Sequence, residues 1–579
     1  MSKKIIYFCV FYILAGFLWI TSTAFAAEVF YLGGGASAGT TGQNTSFSLS
    51  KRFHDLFDLN TDKNSPDRSG FISGNILAEM DWNNVSGNKS KSFLREGVDY
   101  LGELNLNIQE KLGGNYHFEG QWFLRRTDNF RIEQRRDLRL KQLSLKVLND
   151  KNLFEFGDLY ADFSPYVMGT SLEGLHMDLK PDNTQHYKFV ASRKNEADEA
   201  ADLFERYVVG FKADHRFLQD SKTLSNFRIG IQAATSQDDS STISYAPTTK
   251  DMRNAVFSID GEIAWYKLFS VAFELARSLF LEDEDAAGSQ DQSYGTAFRV
   301  QPVLTFAKGT LRYLYQYVQP KFRTDTGSAA YDKIQHQLTW NYILNEKASL
   351  SLSENYYWDH LTGSSLVKRT VNDEKYASIT FKPSLARPEL TVRPYFNYFM
   401  RDSDDLGNSL EATTTTAGFS VNDRWNESTT YGFGYEYRAF ADLAAHALSD
   451  YFHRFNFNIG HEQKFFNRRL YYSFEPGFDI RTTKTDRNKD VNLIFSSSGQ
   501  YDISKNVVTR FGYNVIDTNS ARANANFINH RTYGELDFLL FRRSNTHMIM
   551  RGERNIYGHE DGTQEYKETR AVLKVTTQF

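Results

Sequence analysis

The feature that most constrains this chain is an alternation of apolar and polar residues with a period of two, which recurs from about Gly70 to the end. The clearest example places these residues on one face of a segment: Ile334, His336, Leu338, Trp340, Tyr342 and Leu344. The residues between them are almost all polar. Successive side chains of a strand point to opposite faces, so the pattern predicts strands that meet two different environments.

The connections between the predicted strands alternate between short and long. The short ones are predicted at 182–184, 308–309, 345–347, 387–388, 426–427, 466–467, 504–505 and 543–545. The long, polar ones are 237–252, 281–293, 324–332, 360–373, 402–411, 441–451, 483–489, 519–528 and 557–565. This asymmetry predicts an all-β fold, a large closed up-and-down antiparallel transmembrane β-barrel with tight turns on one rim. Residues 70–579 would supply about 26 strands, in a range of 22–28.

The composition agrees with such a barrel. Beyond residue 26 no apolar stretch reaches the length of about 18 residues that a transmembrane helix needs, and the mean hydropathy is −0.52. Aromatic residues make up 15% of the chain, as expected where aromatic girdles mark the membrane interfaces. The net charge of −4, without a concentrated basic face, gives no indication of nucleic-acid binding.

The N-terminus has the pattern of a secretory signal peptide. Lys3 and Lys4 precede an apolar stretch at 5–20, and the small residues of 24–26 predict cleavage after Ala26. A retained membrane anchor is the alternative, but the apolar stretch is short for one. The chain's single cysteine, Cys9, lies inside the signal, so the mature protein is expected to have no disulfide and no thiolate metal site.

Two regions depart from the repeating pattern. Residues 27–69 do not alternate and are interpreted as an N-terminal segment in the lumen or on the periplasmic side, with disorder as the alternative. Further along, Leu138 and Leu140 are out of phase with Leu143 and Leu145. This shift predicts a β-bulge or a false strand edge between them.

The last strand alternates and ends on an aromatic residue, with Leu573, Val575 and Phe579 on one face. This ending resembles the C-terminal signature of Gram-negative outer-membrane β-barrels. The resemblance implies an integral outer-membrane protein in contact with lipid, assembled by the barrel-assembly machinery. With an even number of strands, both termini are expected on the periplasmic side.

The polar faces of the predicted strands carry charges of both signs. The residues predicted to face the lumen are Glu103, Arg228, Arg393, Glu436, Arg438, Arg454, Glu462, Glu568, Arg570 and Lys574. A mixed set argues against a selectivity filter built from charges of one sign. It favours either a wide, weakly selective pore or a lumen that contains many ion pairs and is occupied by something.

Motifs for catalysis or cofactor binding are missing. The histidines show no metal-ligand spacing, and there is no nucleophile elbow and no phosphate-binding glycine loop. The oxygen-rich stretch 58–64 lacks the glycine of a calcium loop. No catalytic residue, metal site or cofactor is therefore predicted, and an outer-membrane hydrolase has no positive support.

The predicted function is a non-enzymatic, porin-like channel or scaffold. In size and architecture the chain is similar to the porin sheaths of extracellular electron-transfer conduits, which implies as an alternative a sheath around a multihaem cytochrome or a secreted polypeptide. The segment 154–175 is also similar to the early-barrel pattern of fimbrial ushers. The usher family's terminal domains and C-terminal cysteine pair are missing, so usher function is not implied.

Overall fold

The computed structural model describes residues 70–579 with several gaps. The gaps are 113–114, 130, 134–135, 199–202, 220–222, 244–250, 284–289, 363–368, 404–410, 445–446, 485–487 and 523. The predicted signal peptide and the segment 27–69 lie outside the described residues.

Twenty-six strands follow one another along the described chain. They are β1 Gly70–Gly87, β2 Gly97–Lys111, β3 His117–Thr127, β4 Arg139–Leu148, β5 Asn152–Ser164, β6 Met168–Leu179, β7 Gln185–Asn195, β8 Glu205–Gln219 and β9 Leu224–Asp239. Next come β10 Met252–Trp265, β11 Phe269–Asp283, β12 Gln290–Phe306, β13 Gly309–Val318, β14 Lys333–Asn345, β15 Ala348–Asp359, β16 Thr370–Phe381, β17 Thr391–Ser403 and β18 Glu411–Asn426. The last are β19 Thr429–Asp442, β20 Ala447–Phe465, β21 Arg468–Thr483, β22 Lys489–Ser504, β23 Val507–Ser520, β24 Phe527–Phe541, β25 Thr546–His559 and β26 Tyr566–Gln578. Short 3-10 helices occupy Lys89–Lys91 and Ser240–Thr242.

The strands form one closed antiparallel sheet. Each strand pairs with the next along the chain, and β26 pairs with β1 to complete the ring of 26 strands. The closure extends to the last residue, because Phe579 and Gly74 exchange backbone hydrogen bonds of 3.0 and 3.1 Å. The predicted all-β closed barrel and its strand number are confirmed.

The links divide the barrel into two rims. Those that follow even-numbered strands are mostly short, as at 346–347 and 466–467, and form the short-link rim. Those that follow odd-numbered strands are mostly long, as at 319–332, and form the long-link rim. The clearest exceptions are 382–390, which is long on the short-link rim, and 165–167, which is short on the long-link rim.

A register shift between β3 and β4 explains why Leu138 and Leu140 are out of phase with Leu143 and Leu145 in the sequence. Phe123 faces Gln142, but Leu124 faces Leu140, so Lys141 is an extra residue on β4. This is the bulge that the sequence predicted.

One face of the sheet is apolar and exposed. Large side chains on it include Trp82, Tyr100, Phe211, Phe257, Leu275, Leu338, Phe433, Leu493 and Met550. Aromatic pairs gather near both rims of this face: Trp265–Phe269 and Phe465–Tyr501 near the short-link rim, Tyr356–Trp358 and Tyr437–Tyr451 near the long-link rim. An apolar band between two aromatic belts is the outer surface that lipid requires. No helix among the described residues is long and apolar enough to cross a membrane.

Candidate functional site: a hairpin folded into the lumen

The opposite face of the sheet is concave. The Ser164 hydroxyl on β5 donates a 2.5 Å hydrogen bond to Glu274 on β11, and strands so far apart along the sheet can meet only across the inside of a barrel. The registers, followed from strand to strand, put every residue predicted to face the lumen on the same face as Glu274.

Most of these luminal charges are paired with a neighbour. Glu103 binds Arg125 at 2.7 Å, and Arg454 binds Asp479 at 3.0 Å. Arg570 contacts Asp81 across the seam between β26 and β1. The wall therefore carries both signs in neutralised pairs rather than as a one-sign ring.

The densest set of pairs covers the inner face from β23 to β1. Its contacts are Arg510–Glu535, Arg510–Asp537, His547–Asp537, Arg551–Glu553, Arg531–Glu553, Arg570–Glu79 and Lys574–Glu79. We call these residues the charge network. Each carboxylate of this network has at least one basic neighbour.

The most unusual part of the lumen is the end of the β5–β6 hairpin. Pairing of β4 with β5 stops at Ser144–Gly157, and pairing of β6 with β7 begins only at Glu173–Arg193. Between these points β5 and β6 pair with each other alone. Residues 158–172, named the inner flap, have therefore left the wall and lie in the lumen.

Gly157 marks the point where β5 leaves the wall. Its φ of +99° is a conformation that side chains other than glycine rarely adopt. A β-carbon here would also lie 2.1 Å from the Leu143 carbonyl oxygen. Both constraints require glycine, so the sharp turn out of the sheet is encoded at this residue.

In the flap, the apolar and polar faces are exchanged relative to the barrel strands. On the face that continues the lumen side it carries Leu159, Ala161, Phe163 and Leu172, all buried. Its other face carries Tyr160, Asp162 and Ser171, all exposed. A strand with this face toward lipid would place a carboxylate in the hydrocarbon, which is costly. Folding inward avoids that cost.

The flap packs on a row of small apolar residues along the inner wall. The row crosses seven strands and consists of Val190, Val208, Ala234, Val256, Ala276, Ala297 and Val318. All are buried against the flap and its neighbours. Elsewhere the inner wall is mainly polar, so this row, the apolar stripe, exists to receive the flap.

The flap lies directly against the wall at Gly210 on β8. A β-carbon at this position would lie 2.6 Å from Met168 Cε and 3.0 Å from Phe163 Cε2. Met168 is fully buried. The missing side chain thus makes room for the tip of the flap.

Polar groups fix the flap tip to the wall. Glu274, only 1% exposed, accepts hydrogen bonds from Ser164 at 2.5 Å and from Ser258 at 3.1 Å. Arg299 lies 3.4 Å from its other oxygen. Lys212 donates to the Phe163 carbonyl oxygen at 2.9 Å. A buried carboxylate with these partners holds the tip in one position.

The β13–β14 link, residues 319–332, closes over the flap tip, and we call it the clasp. Gly169 N donates to the Thr326 carbonyl oxygen at 2.8 Å, and Ser328 N donates to the Pro165 carbonyl oxygen at 2.9 Å. Phe322 of the clasp is fully buried and meets Tyr166 edge-on at 5.7 Å. The clasp and flap therefore form one packed unit.

The clasp is itself tied to the wall by charge. Asp325 receives Lys194 at 2.8 Å and Arg206 at 2.6 Å. Its backbone N–H donates to the Asn254 side chain at 2.9 Å. Asp325 is thus the electrostatic anchor of the clasp.

The Tyr166 side chain is a buried polar group of this unit whose hydroxyl is unsatisfied. The Tyr166 hydroxyl has no hydrogen-bond partner among the described residues, although the side chain is fully buried. Burial raises the pKa of Tyr166, so the hydroxyl stays neutral.

The sequence contained two signals for the flap that the prediction did not use. The outward phase of β5 reads Asp158, Tyr160 and Asp162, which no lipid-facing strand should carry. The luminal phase of β7 to β13 carries one small apolar residue of the stripe on each strand, at a position where a polar one is expected. Together they indicate a hairpin on the inner wall.

Metal binding finds no support in the described residues. No group of three or more histidine, cysteine, aspartate and glutamate residues among them could hold a metal ion.

Comparison with solved structures yields large barrels of low similarity. The siderophore receptor PirA from Pseudomonas aeruginosa matches with a TM-score of 0.40 and 11% identity, over 88% of this chain and 80% of the receptor. The outer membrane protein OprD from Pseudomonas aeruginosa matches with a TM-score of 0.32 and 10% identity, over 64% of this chain and 94% of OprD. The translocation pore of the P pilus usher PapC gives a TM-score of 0.29 and 9% identity, over 88% of this chain and 99% of the pore chain.

No known protein family matches the sequence, and no curated protein matches it either. The architecture rests on this chain's own pairings and its lipid-compatible outer face. The chain is a bacterial outer-membrane β-barrel. Its lumen is occupied in part by its own hairpin.

Proposed function

We propose that this protein is a non-enzymatic outer-membrane channel whose lumen the inner flap narrows. The observation that carries the proposal is the flap itself, an amphipathic hairpin packed on the apolar stripe and closed in by the clasp. A ring of this many strands would by itself enclose a wide aqueous lumen. A hairpin fixed inside reduces the open cross-section.

The charge network supports weak ion selectivity. Its carboxylates and basic groups neutralise one another, so neither ion sign is strongly favoured. With the long links outside, both ends of the described barrel lie on the periplasmic side, as is usual for such barrels.

Planar-bilayer recording of the purified protein tests the proposal. We expect a stable current with weak selectivity, and the same current before and after washing at high salt. A current that appears only after a co-purifying protein is removed would instead favour a sheath around a cytochrome or secreted polypeptide. No current in either state would overturn the channel.

An enzymatic role is tested separately. We expect no turnover of lipid or ester substrates by the reconstituted protein. Turnover that survives repurification and is lost on substitution of a loop serine would contradict the non-enzymatic assignment.

A further inference from the structure

The inward flap leaves two strands of the wall without a neighbour. Among the described residues, the edge of β4 above Ser144, residues 139–143, has no strand pairing on the side that faces β5. Within the same described part of the chain, the edge of β7 beyond Arg193 has none on the side that faces β6. Among the described strands β4 and β7 do not pair with each other. We call the space between these edges the wall notch.

The notch has a definite place and size. Two absent strands separate the axes of β4 and β7 by up to about 14 Å, at a spacing of about 4.8 Å per strand. Both edges run to the long-link rim. The notch therefore occupies the half of the wall nearer the long links.

Unpaired sheet edges are not stable against hydrocarbon. Backbone groups at membrane depth need partners, and irregular backbone persists there only where it lines a water-filled cavity. One group at the notch is satisfied by a side chain: Leu143 N donates to Asp158 Oδ2 at 2.6 Å. The other edge groups need water, so lumen water must reach the lipid boundary here.

Charged side chains line both sides of the notch. On the β4 side, Glu133 binds Lys141 at 2.6 Å and Arg139 at 3.3 Å, and the hydrogen bond from Lys141 lowers the pKa of Glu133. On the β7 side, Arg193 binds Glu205 at 3.3 Å. Ion pairs of this kind belong in a wet environment.

Apolar side chains lie beside these charges. Leu140 on β4 is 52% exposed, Phe156 below the notch is 55% exposed, and Tyr160 on the free face of the flap is 61% exposed. An apolar surface therefore extends past the notch to the flap. Polar edges beside it would suit a molecule with both an apolar and a polar part.

We propose that the wall notch is a lateral opening through which amphipathic molecules with an acyl chain pass between the lumen and the outer leaflet. This inference rests on the proposed channel function and its orientation. The flap would then have two effects, since the same inward fold narrows the lumen and opens the wall.

The chain allows a clean test because its only cysteine, Cys9, lies in the predicted signal peptide. The variant Tyr160→Cys carries a bimane fluorophore on the flap, Ser353→Cys carries it on the inner face of β15, and Leu338→Cys carries it on the outer face. The proteins are reconstituted in bilayers, and a lysophospholipid with a brominated acyl chain is added as quencher. Iodide serves as a water-soluble quencher for comparison.

We expect the brominated lipid to quench the Tyr160 and Leu338 probes and to spare the Ser353 probe, while iodide quenches both luminal probes. Adding Leu140→Trp and Asn195→Trp narrows the notch and should reduce lipid quenching of the Tyr160 probe without changing the bilayer current. Equal lipid quenching of the two luminal probes, or quenching unaffected by the tryptophans, would overturn the lateral opening. Loss of current in all variants would instead overturn the channel function.

Discussion

Gly210 is a wall residue that the flap packs against without room for a side chain. Any side chain there would meet Met168 or Phe163 of the flap, and neither has free space to move into because both are buried. The fit between flap and wall thus depends on an absent side chain as much as on the apolar stripe.

We expect Gly210→Val to weaken flap docking. Overpacking of a tight contact costs about 1–3 kcal/mol, which should appear as more frequent openings to a larger conductance in single-channel recordings. Gly534→Val is the matched control, because a β-carbon at Gly534 on β24 would meet nothing within 4 Å. Openings that are as rare in Gly210→Val as in the control would argue against close docking.

A substitution at Tyr166 is expected to have the opposite effect and to strengthen flap docking. The Tyr166 hydroxyl is buried without a partner among the described residues, a condition that costs about 1–3 kcal/mol. The ring contact with Phe322 does not need the hydroxyl. We expect Tyr166→Phe to stabilise the docked flap and to make openings rarer. Tyr160→Phe, which removes an exposed hydroxyl, should leave the recordings unchanged. More openings in Tyr166→Phe would show that the hydroxyl has a partner.

At the level of elements, two separate arcs of the barrel wall carry different sets of luminal side chains. The strands β7 to β13 carry the apolar stripe and hold the flap, whereas β23 to β26 and β1 carry the charge network. Residues of the charge network line the open lumen, so changes there should alter selectivity rather than opening.

Arg510 on β23 tests this division. It binds Glu535 at 2.7 Å and Asp537 at 3.2 Å. Arg510→Met leaves Glu535 without its closest basic partner, so we expect the reversal potential in a salt gradient to move toward cation selectivity. Arg510→Lys keeps the charge and should leave selectivity near that of the wild type. A selectivity unchanged by Arg510→Met would contradict a luminal role for the network.

The elements differ in how far sequence could predict them. Strand number, rim asymmetry and the bulge at Lys141 follow from residue period and link composition, which are local properties. The flap depends on contacts between β5 and strands far along the chain, such as Ser164 with Glu274. Its polarity reversal was visible in the sequence, but the partner surface becomes apparent only once the registers are known.

The same difference between local and long-range features applies to the luminal residues. The face on which Arg454 and Arg570 lie follows from alternation alone. Their pairing with Asp479 and Asp81 requires the strand registers, which bulges and link lengths set and which a one-residue slip would invert.

In the molecule as a whole, the flap counteracts the large width of the barrel lumen. A ring of 26 strands has a diameter of roughly 50 Å at ordinary strand spacing and tilt, and an open hole of that size would be permeable to most solutes. The inner flap and clasp fill part of this space with the chain's own residues. Because the flap folds inward, it also leaves the wall notch between the edges of β4 and β7.

The single-channel conductance of a variant without the flap tests whether the inner flap narrows the lumen. The variant replaces residues 158–172 with a two-residue Gly-Ser turn between Gly157 and Glu173, which keeps the β4–β5 and β6–β7 pairings. The control replaces the long link 521–526 with the same turn, and heat-modifiable migration verifies that both barrels are folded. We predict a conductance clearly above that of the wild type for the flapless barrel and an unchanged conductance for the control. Equal conductance of the folded flapless and wild-type barrels would contradict a lumen narrowed by the flap.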